Sequence, residues 1–166
     1  MGVETLISSD EYLSTSYSPD VEYVDGVLEE RTGGDWLHSL VQSNIIFALR
    51  LKYQHVKAVA ELRSQTTASR FRLPDVCVLL SAPTASVLRD PAFLVIEILS
   101  EDDRMTKMME KLQDYAANGV PNIWLIDPRL EQIYIFRAGT LERVAGDAVT
   151  TSDPRLELTR QEIFQK

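Results

Sequence analysis

Two carboxylates stand inside apolar, strand-like runs: Asp75 in Arg72-Leu-Pro-Asp-Val-Cys-Val-Leu-Leu80 and Glu97 in Phe93-Leu-Val-Ile-Glu-Ile-Leu99. An ionised carboxylate in such a run costs several kcal/mol to desolvate unless a cation or hydrogen-bond donors compensate it. Neighbouring strands lie roughly 4.8 Å apart, so two carboxylates projecting from them can clamp one divalent ion. The structural alternative is that Arg70 or Arg72 pairs with the acids. Either way the two acids call for one shared explanation.

The elements around them follow from periodicity and punctuation. Val21–Glu30 reads as two short strands about an Asp25-Gly26 turn, an N-terminal β-hairpin. Asp35 is placed to cap a helix from Trp36 to about Lys52, where Leu37, Leu40, Val41, Ile45, Ala48 and Leu49 recur at helical spacing. Val56–Arg63 has strand character, and the polar stretch Ser64–Ser69 reads as a loop or hairpin end. Pro74 cannot donate to a ladder and belongs at a strand start, an edge or a bulge. Continuous apolar character makes Phe93–Leu99 a central strand covered on both faces.

Ser100 to about Asn118 predicts a second helix, with Met105, Met108, Met109, Leu112, Tyr115 and Ala116 on one stripe, closed by Asn118-Gly119 and Pro121. Asn122–Asp127 and Glu131–Arg137 follow as strands joined by a tight turn. Leu141–Thr150 reads as a last strand and Thr159–Phe164 as a short terminal helix. Trp124 and Tyr115 read as core aromatics rather than base-stacking platforms, and His55 as a surface residue.

At 166 residues, 45% hydrophobic and 25% charged, the chain is expected to form one domain over 1–166 with its core at about 21–137. No apolar run approaches the roughly 20 residues that span a bilayer, and Met1–Asp10 lacks the layout of a signal peptide, so a cytoplasmic location and no membrane partner are expected. The lone Cys77 cannot form an internal disulfide and reads as a small buried hydrophobe. A formal charge of −8 disfavours tight binding to a polyanion unless the cations concentrate on one face. Arg63, Arg70 and Arg72 near one acid, and Arg104, Lys107 and Lys111 after the other, are the candidates for such a face.

The ordered motifs make a more specific resemblance. Tyr23-Val-Asp-Gly-Val-Leu-Glu-Glu30, His38, Arg72-Leu-Pro-Asp-Val76, Val95-Ile-Glu-Ile-Leu-Ser100, Lys111-Leu-Gln-Asp-Tyr115 and Gly119-Val-Pro-Asn-Ile-Trp-Leu-Ile-Asp-Pro128 resemble the Uma-two family of endonucleases. That family lies in the restriction endonuclease-like superfamily with the PD-(D/E)XK signature, and the resemblance runs from about Tyr23 to Phe136. It implies an α/β restriction endonuclease-like fold, a central mixed β-sheet flanked by α-helices, with the site where the Asp75 and Glu97 strands meet the Trp36 helix. It further implies metal-dependent hydrolysis of phosphodiester bonds in DNA, with a homodimer open to the chain.

Carried onto this chain, the resemblance makes Asp75, Glu97 and the backbone carbonyl of Ile98 the ligands of a magnesium or manganese ion. Hard divalent cations prefer such oxygen donors. Leu99 stands where the signature expects lysine, so a migrated lysine, Lys107 or Lys111, must serve. At about 100° per residue Lys111 falls beside the apolar stripe near Tyr115, whereas Lys107 points farther toward solvent. Lys111 also matches the family's lysine position; at Lys107 the family often carries an acid. Glu30 and His38 complete the expected catalytic set as cleft-lining residues, against an exposed strand-end acid and a packed or capping histidine. Two further classes stay open: a non-cleaving relative that binds nucleic acid or protein, and a metal-dependent hydrolase of a small phosphate ester.

Overall fold

Asp25 and Gly26 both adopt positive φ, 50° and 94°, the backbone that a two-residue hairpin turn requires. They join β1 (Val21–Val24) to β2 (Val27–Glu30), with Val24 opposite Val27. The computed structural model describes residues 5–166; the first four residues of the polar N-terminal stretch lie outside it. Before the hairpin, Ser8 caps α1 (Ser9–Ser14), an element without an apolar period of its own. Its Tyr12 stacks on Tyr23 and packs against Phe71.

Asp35 caps α2 (Trp36–Lys52) by accepting from the His38 backbone N–H at 2.9 Å, as its position predicts. The chain then forms β3 (Lys57–Ala60), and His55 is exposed. Of the two readings of Ser64–Ser69, a loop or a hairpin end, the second fits. The segment holds β4 (Ser64–Thr67), which pairs with β5 (Arg70–Arg72) and buries Ser64 and Thr66. Polar composition hides the alternation, although threonine suits a half-buried strand. Together β2-β1-β5-β4 make a four-stranded antiparallel sheet.

The strand-like run Arg72–Leu80 is divided between two sheets, with Pro74 just ahead of a strand start, one of the places expected for it. β5 ends at Arg72, and β6 (Val76–Leu79) begins only after Leu73-Pro74-Asp75 has crossed to the second sheet. Pro74, which has no N–H to give a ladder, marks the crossing. Asp75 thereby stands at the junction of the two sheets.

The second sheet has the order β10-β9-β8-β7-β6-β3. Its centre holds β7 (Leu94–Ile98), buried at all five positions. β7 runs parallel to β8 (Asn122–Asp127) and antiparallel to β6, so the sheet is mixed. The parallel crossover is α3 (Met105–Ala117), ended by Gly119 at φ 93°. α3 starts later than Ser100, because the Asp103 side chain accepts from the Ser100 N–H at 2.7 Å and holds a turn there. β9 (Gln132–Arg137) and β10 (Thr140–Arg143) complete the meander.

Side chains alternate across this sheet with period two. Val76, Val78, Leu94, Ile96, Ile98, Trp124 and Ile126 pack against Val41, Ile45 and Leu49 of α2. Cys77, Val95, Ile123 and Leu125 pack against Met108, Leu112 and Tyr115 of α3. Cys77, Trp124 and Tyr115 are core residues, as expected. Asp75 and Glu97 share the odd parity of the second set, which turns them toward α3.

The expected strand Leu141–Thr150 is two strands in different sheets. β10 stays with β9, while β11 (Ala148–Thr150) pairs with β12 (Glu157–Thr159) in a separate ribbon. α4 (Arg160–Phe164) follows, capped by Thr159. Among the described residues no helix is long and apolar enough to cross a membrane.

Candidate active site

β6 and β7 pair with Val76 opposite Ile96, so continuing that register by one residue sets Asp75 opposite Glu97. Directly opposed residues carry their Cβ atoms roughly 4.5–5.5 Å apart on one face. Both acids are buried, as their apolar surroundings predict. The compensation comes from four elements.

Asp75 accepts from Arg31 Nη2 at 3.0 Å on Oδ1, and from the Ile98 backbone N–H at 2.8 Å on Oδ2. His38 Nε2 lies 3.2 Å from the same Oδ2. Burial opposes ionisation of Asp75, but the His38 hydrogen bond, the Lys111 charge and the Ile98 amide outweigh it and hold its carboxyl below the usual range. The same pairing raises the pKa of the buried His38 imidazole against the opposite pull of burial.

Glu97 is placed by α3. Tyr115 Oη donates to Oε1 at 2.6 Å, and Lys111 Nζ lies 3.0 Å from Oε2. Burial pushes the Glu97 carboxyl up to about 8; Lys111 opposes this, and the nearby charges of Asp75 and Glu22 reinforce it. Lys111, for its part, stays an ammonium: burial works against the charge, but Glu22, Glu97 and Asp75 together raise its pKa. Lys107 is 61% exposed and bonds Glu29 at 2.8 Å, pointing outward as helical geometry predicts. Of the two lysines, the structure brings Lys111 to the acids.

A third acid was not anticipated. Glu22 of β1 is buried; its Oε1 lies 2.9 Å from Lys111 Nζ and accepts the Leu73 N–H at 2.8 Å, while Oε2 accepts from Arg72 at 3.0 Å. Lys111 and Arg72 offset the burial of this acid and depress its pKa. The signal was present in Val21-Glu22-Tyr23-Val24, an acid among apolar strand residues, and the desolvation reasoning used for Asp75 applies there too. Glu30, the hairpin acid expected in the cleft, lies exposed on its rim, and its side chain makes no hydrogen bond or ion pair among the described residues. On β2 it is Glu29 that reaches the buried Arg72, at 3.1 Å, while also bonding the exposed Lys107.

The expected basic face is only partly realised. Arg72, 2% exposed, is held by Asp114, Glu22 and Glu29, and Arg70 by Asp25, Glu110 and Asp114. Arg63 pairs with Asp20 and lies over the Tyr12 ring at 4.5 Å. Neither Arg70 nor Arg72 pairs with Asp75 or Glu97; Arg31, His38 and Lys111 provide the compensating contacts instead. Arg104 and Lys107 remain exposed at the mouth of the cleft.

The resulting cleft has a volume of ≈ 720 Å³ and is lined by the hairpin, the Asp75 junction, Glu97, Ile98 and the first turns of α3. Among the described residues no three His, Cys, Asp or Glu side chains form a ready cation cage. The donor set is a facing carboxylate pair. Such a pair is the oxygen donor set that a hard divalent cation prefers, and here its oxygens accept from Arg31, the Ile98 N–H, Tyr115 and Lys111.

Comparison with known proteins agrees with this architecture. A family model, Uma2, described as "Putative restriction endonuclease", matches residues 10–163. A crystal structure from Anabaena variabilis described as a "putative nuclease" is similar over 95% of this chain and 97% of that chain, with 24% identity and a TM-score of 0.79. That likeness establishes the restriction endonuclease-like α/β fold expected from the motifs. A cryo-electron-microscopy structure of the DrdV–DNA complex matches over 65% of this chain and 81% of that chain, at 15% identity and a TM-score of 0.36. No protein in the curated set matches.

Proposed function

Because the chain belongs to the Uma2 family across residues 10–163, we propose that it is a magnesium- or manganese-dependent endonuclease that hydrolyses phosphodiester bonds in DNA. The observation that carries this reading is Lys111: it arrives from the helix after Glu97 and stands 3.0 Å from that acid, replacing the lysine that Leu99 cannot supply.

In this reading Asp75, Glu97 and the carbonyl of Ile98 hold the ion. A divalent cation bound there would polarise the phosphodiester and lower the pKa of a bound water. Arg31 and the Ile98 amide fix the Asp75 carboxylate, and Tyr115 fixes that of Glu97. Lys111, held charged by Glu22 and Glu97, orients the attacking water and offsets negative charge gathering on the phosphate. His38 supports Asp75 from the α2 side, and Glu30 sits at the rim. Arg104 and Lys107 are the cations placed to meet the flanking phosphates.

Cleavage of plasmid and single-stranded DNA in manganese tests the reading. The wild type is expected to cut, with Asp75→Asn and Lys111→Ala each reduced by about a hundredfold or more. Cleavage that persists in Asp75→Asn removes the metal pair, and full activity in Lys111→Ala removes the lysine alone. Hydrolysis of p-nitrophenyl phosphate without DNA cleavage would replace the nuclease by a small-ester hydrolase.

A further inference from the structure

α2 buries one face against the large sheet and leaves a second apolar stripe uncovered. Trp36 is 75% exposed, Phe47 62% and Leu51 66%, with Leu40 half-buried beside them. At about 100° per residue, positions 36, 40, 43, 47 and 51 fall within roughly 80° of one another. The stripe therefore reads Trp, Leu, Ser, Phe, Leu along one side of the helix.

Its layout is nearly symmetric about Ser43, the small residue at its middle. Laid antiparallel on a copy of itself, α2 sets Trp36 against the partner's Leu51 and Leu40 against the partner's Phe47, and Ser43 permits close approach at the crossing. A twofold contact demands this self-complementarity, since residue i must meet j while j meets i. The 4-3-4 spacing of 36, 40, 43 and 47 is also that of helices that pack side by side.

Charge selects the same face. Two copies carrying a formal −8 each repel one another, so a self-contact must use a neutral surface. From Trp36 through Leu49 the helix has no Asp, Glu, Lys or Arg. One end carries Asp35 and Glu101 about Arg129, and the other carries Lys52 paired with Glu162 beside an exposed Arg50. Antiparallel pairing brings Arg50 of each copy toward the surplus acid at the Asp35 end of the other. A covered aromatic side chain buries on the order of 150–250 Å², so these apolar residues supply on the order of half of the roughly 800 Å² per partner typical of a stable interface.

We infer that the exposed stripe Trp36–Leu40–Phe47–Leu51 of α2 is a twofold interface that pairs this chain with a second copy of itself, its crossing at Ser43. The inference is independent of what the cleft hydrolyses.

Sedimentation velocity of the full chain over a concentration series tests it, with circular dichroism confirming that each variant folds. The wild type is expected to be a dimer, and Phe47→Glu to weaken association by about thirty-fold or more, as for a central interface residue. Leu80→Glu, at an exposed apolar residue elsewhere, is expected to leave the dimer intact. Ser43→Cys is expected to form an intermolecular disulfide on mild oxidation, because the native Cys77 is sealed in the core; this decides the question if Phe47→Glu fails to fold. A monomer at every concentration, a dimer indifferent to Phe47→Glu, one dissolved equally by Leu80→Glu, or Ser43→Cys that stays reduced would overturn the inference.

Discussion

Single residues show how the interior accommodates so much charge. Arg72 is nearly inaccessible, and its guanidinium is the common partner of Asp114, Glu22 and Glu29. Removing one member of a buried ionic cluster strands the others, at about 3–5 kcal/mol. Arg72→Met is therefore expected to lower the unfolding free energy in urea by that amount, and Arg137→Met, at an exposed pair, by less than about 1 kcal/mol. Cys77 behaves oppositely, as a silent residue: burial pushes its thiol up to about 12, so at pH 8 almost no thiolate forms. Ellman's reagent is expected to label it only in denaturant; labelling of the native protein at the rate of a free thiol would refute its sealing. Asp75 and Glu97 were legible because a charge inside an apolar run has no silent explanation. Glu22 obeyed the same logic, but the stronger Asp25-Gly26 turn signal led its segment to be read as a hairpin alone.

At the scale of elements, periodicity located α2, α3, β7 and the β8–β9 hairpin, each long enough for a pattern to repeat. Shorter pieces escaped it. Six residues of α1 or three of β12 hold too few positions to show a period, and the division of Arg72–Leu80 between two sheets is a tertiary event that leaves apolar content unchanged. α4 nevertheless lies within the expected Thr159–Phe164. Thr159 and Glu162 form a reciprocal capping box, and Lys52 of α2 bonds the Glu162 carboxylate at 2.9 Å. Thr159→Ala is expected to cost about 1 kcal/mol in denaturant unfolding. Burial opposes the Glu162 charge, but the Thr159 amide and Lys52 outweigh it, so its pKa is lower folded than unfolded. The stabilisation it gives is present at neutral pH and is lost as pH falls through the folded value, below the usual carboxylate range. Glu162→Gln should accordingly be less stable than wild type at pH 7, with the difference shrinking in melting curves as the pH falls below the usual carboxylate range; a constant difference would exclude the linkage.

For the whole molecule, the site is a junction rather than a pocket in one layer. Asp75 and Glu97 come from the large sheet, Glu22 from the small one, Arg31 from the segment after the hairpin, and Lys111 from the crossover helix. A ligand that ties the two acids together binds only the assembled arrangement and stabilises it by mass action, about 2.7 kcal/mol at a hundredfold excess over Kd. Manganese is expected to raise the melting temperature of the wild type and to leave that of Asp75→Asn unchanged, a readout that needs no nucleic acid. An equal shift in both proteins would locate the ion elsewhere. The overall charge was legible from composition, but not the spending of Arg63, Arg70 and Arg72 on internal acids, which only the approach of the two sheets decides.

Two acids of this junction each grip a main-chain amide: Glu22 the N–H of Leu73 and Asp75 that of Ile98. Those protons are resonances coupled directly to the carboxylates. In a ¹⁵N-labelled sample, the Leu73 and Ile98 cross-peaks would report the state of the two acids separately, one from each sheet, before any bond in a substrate is broken.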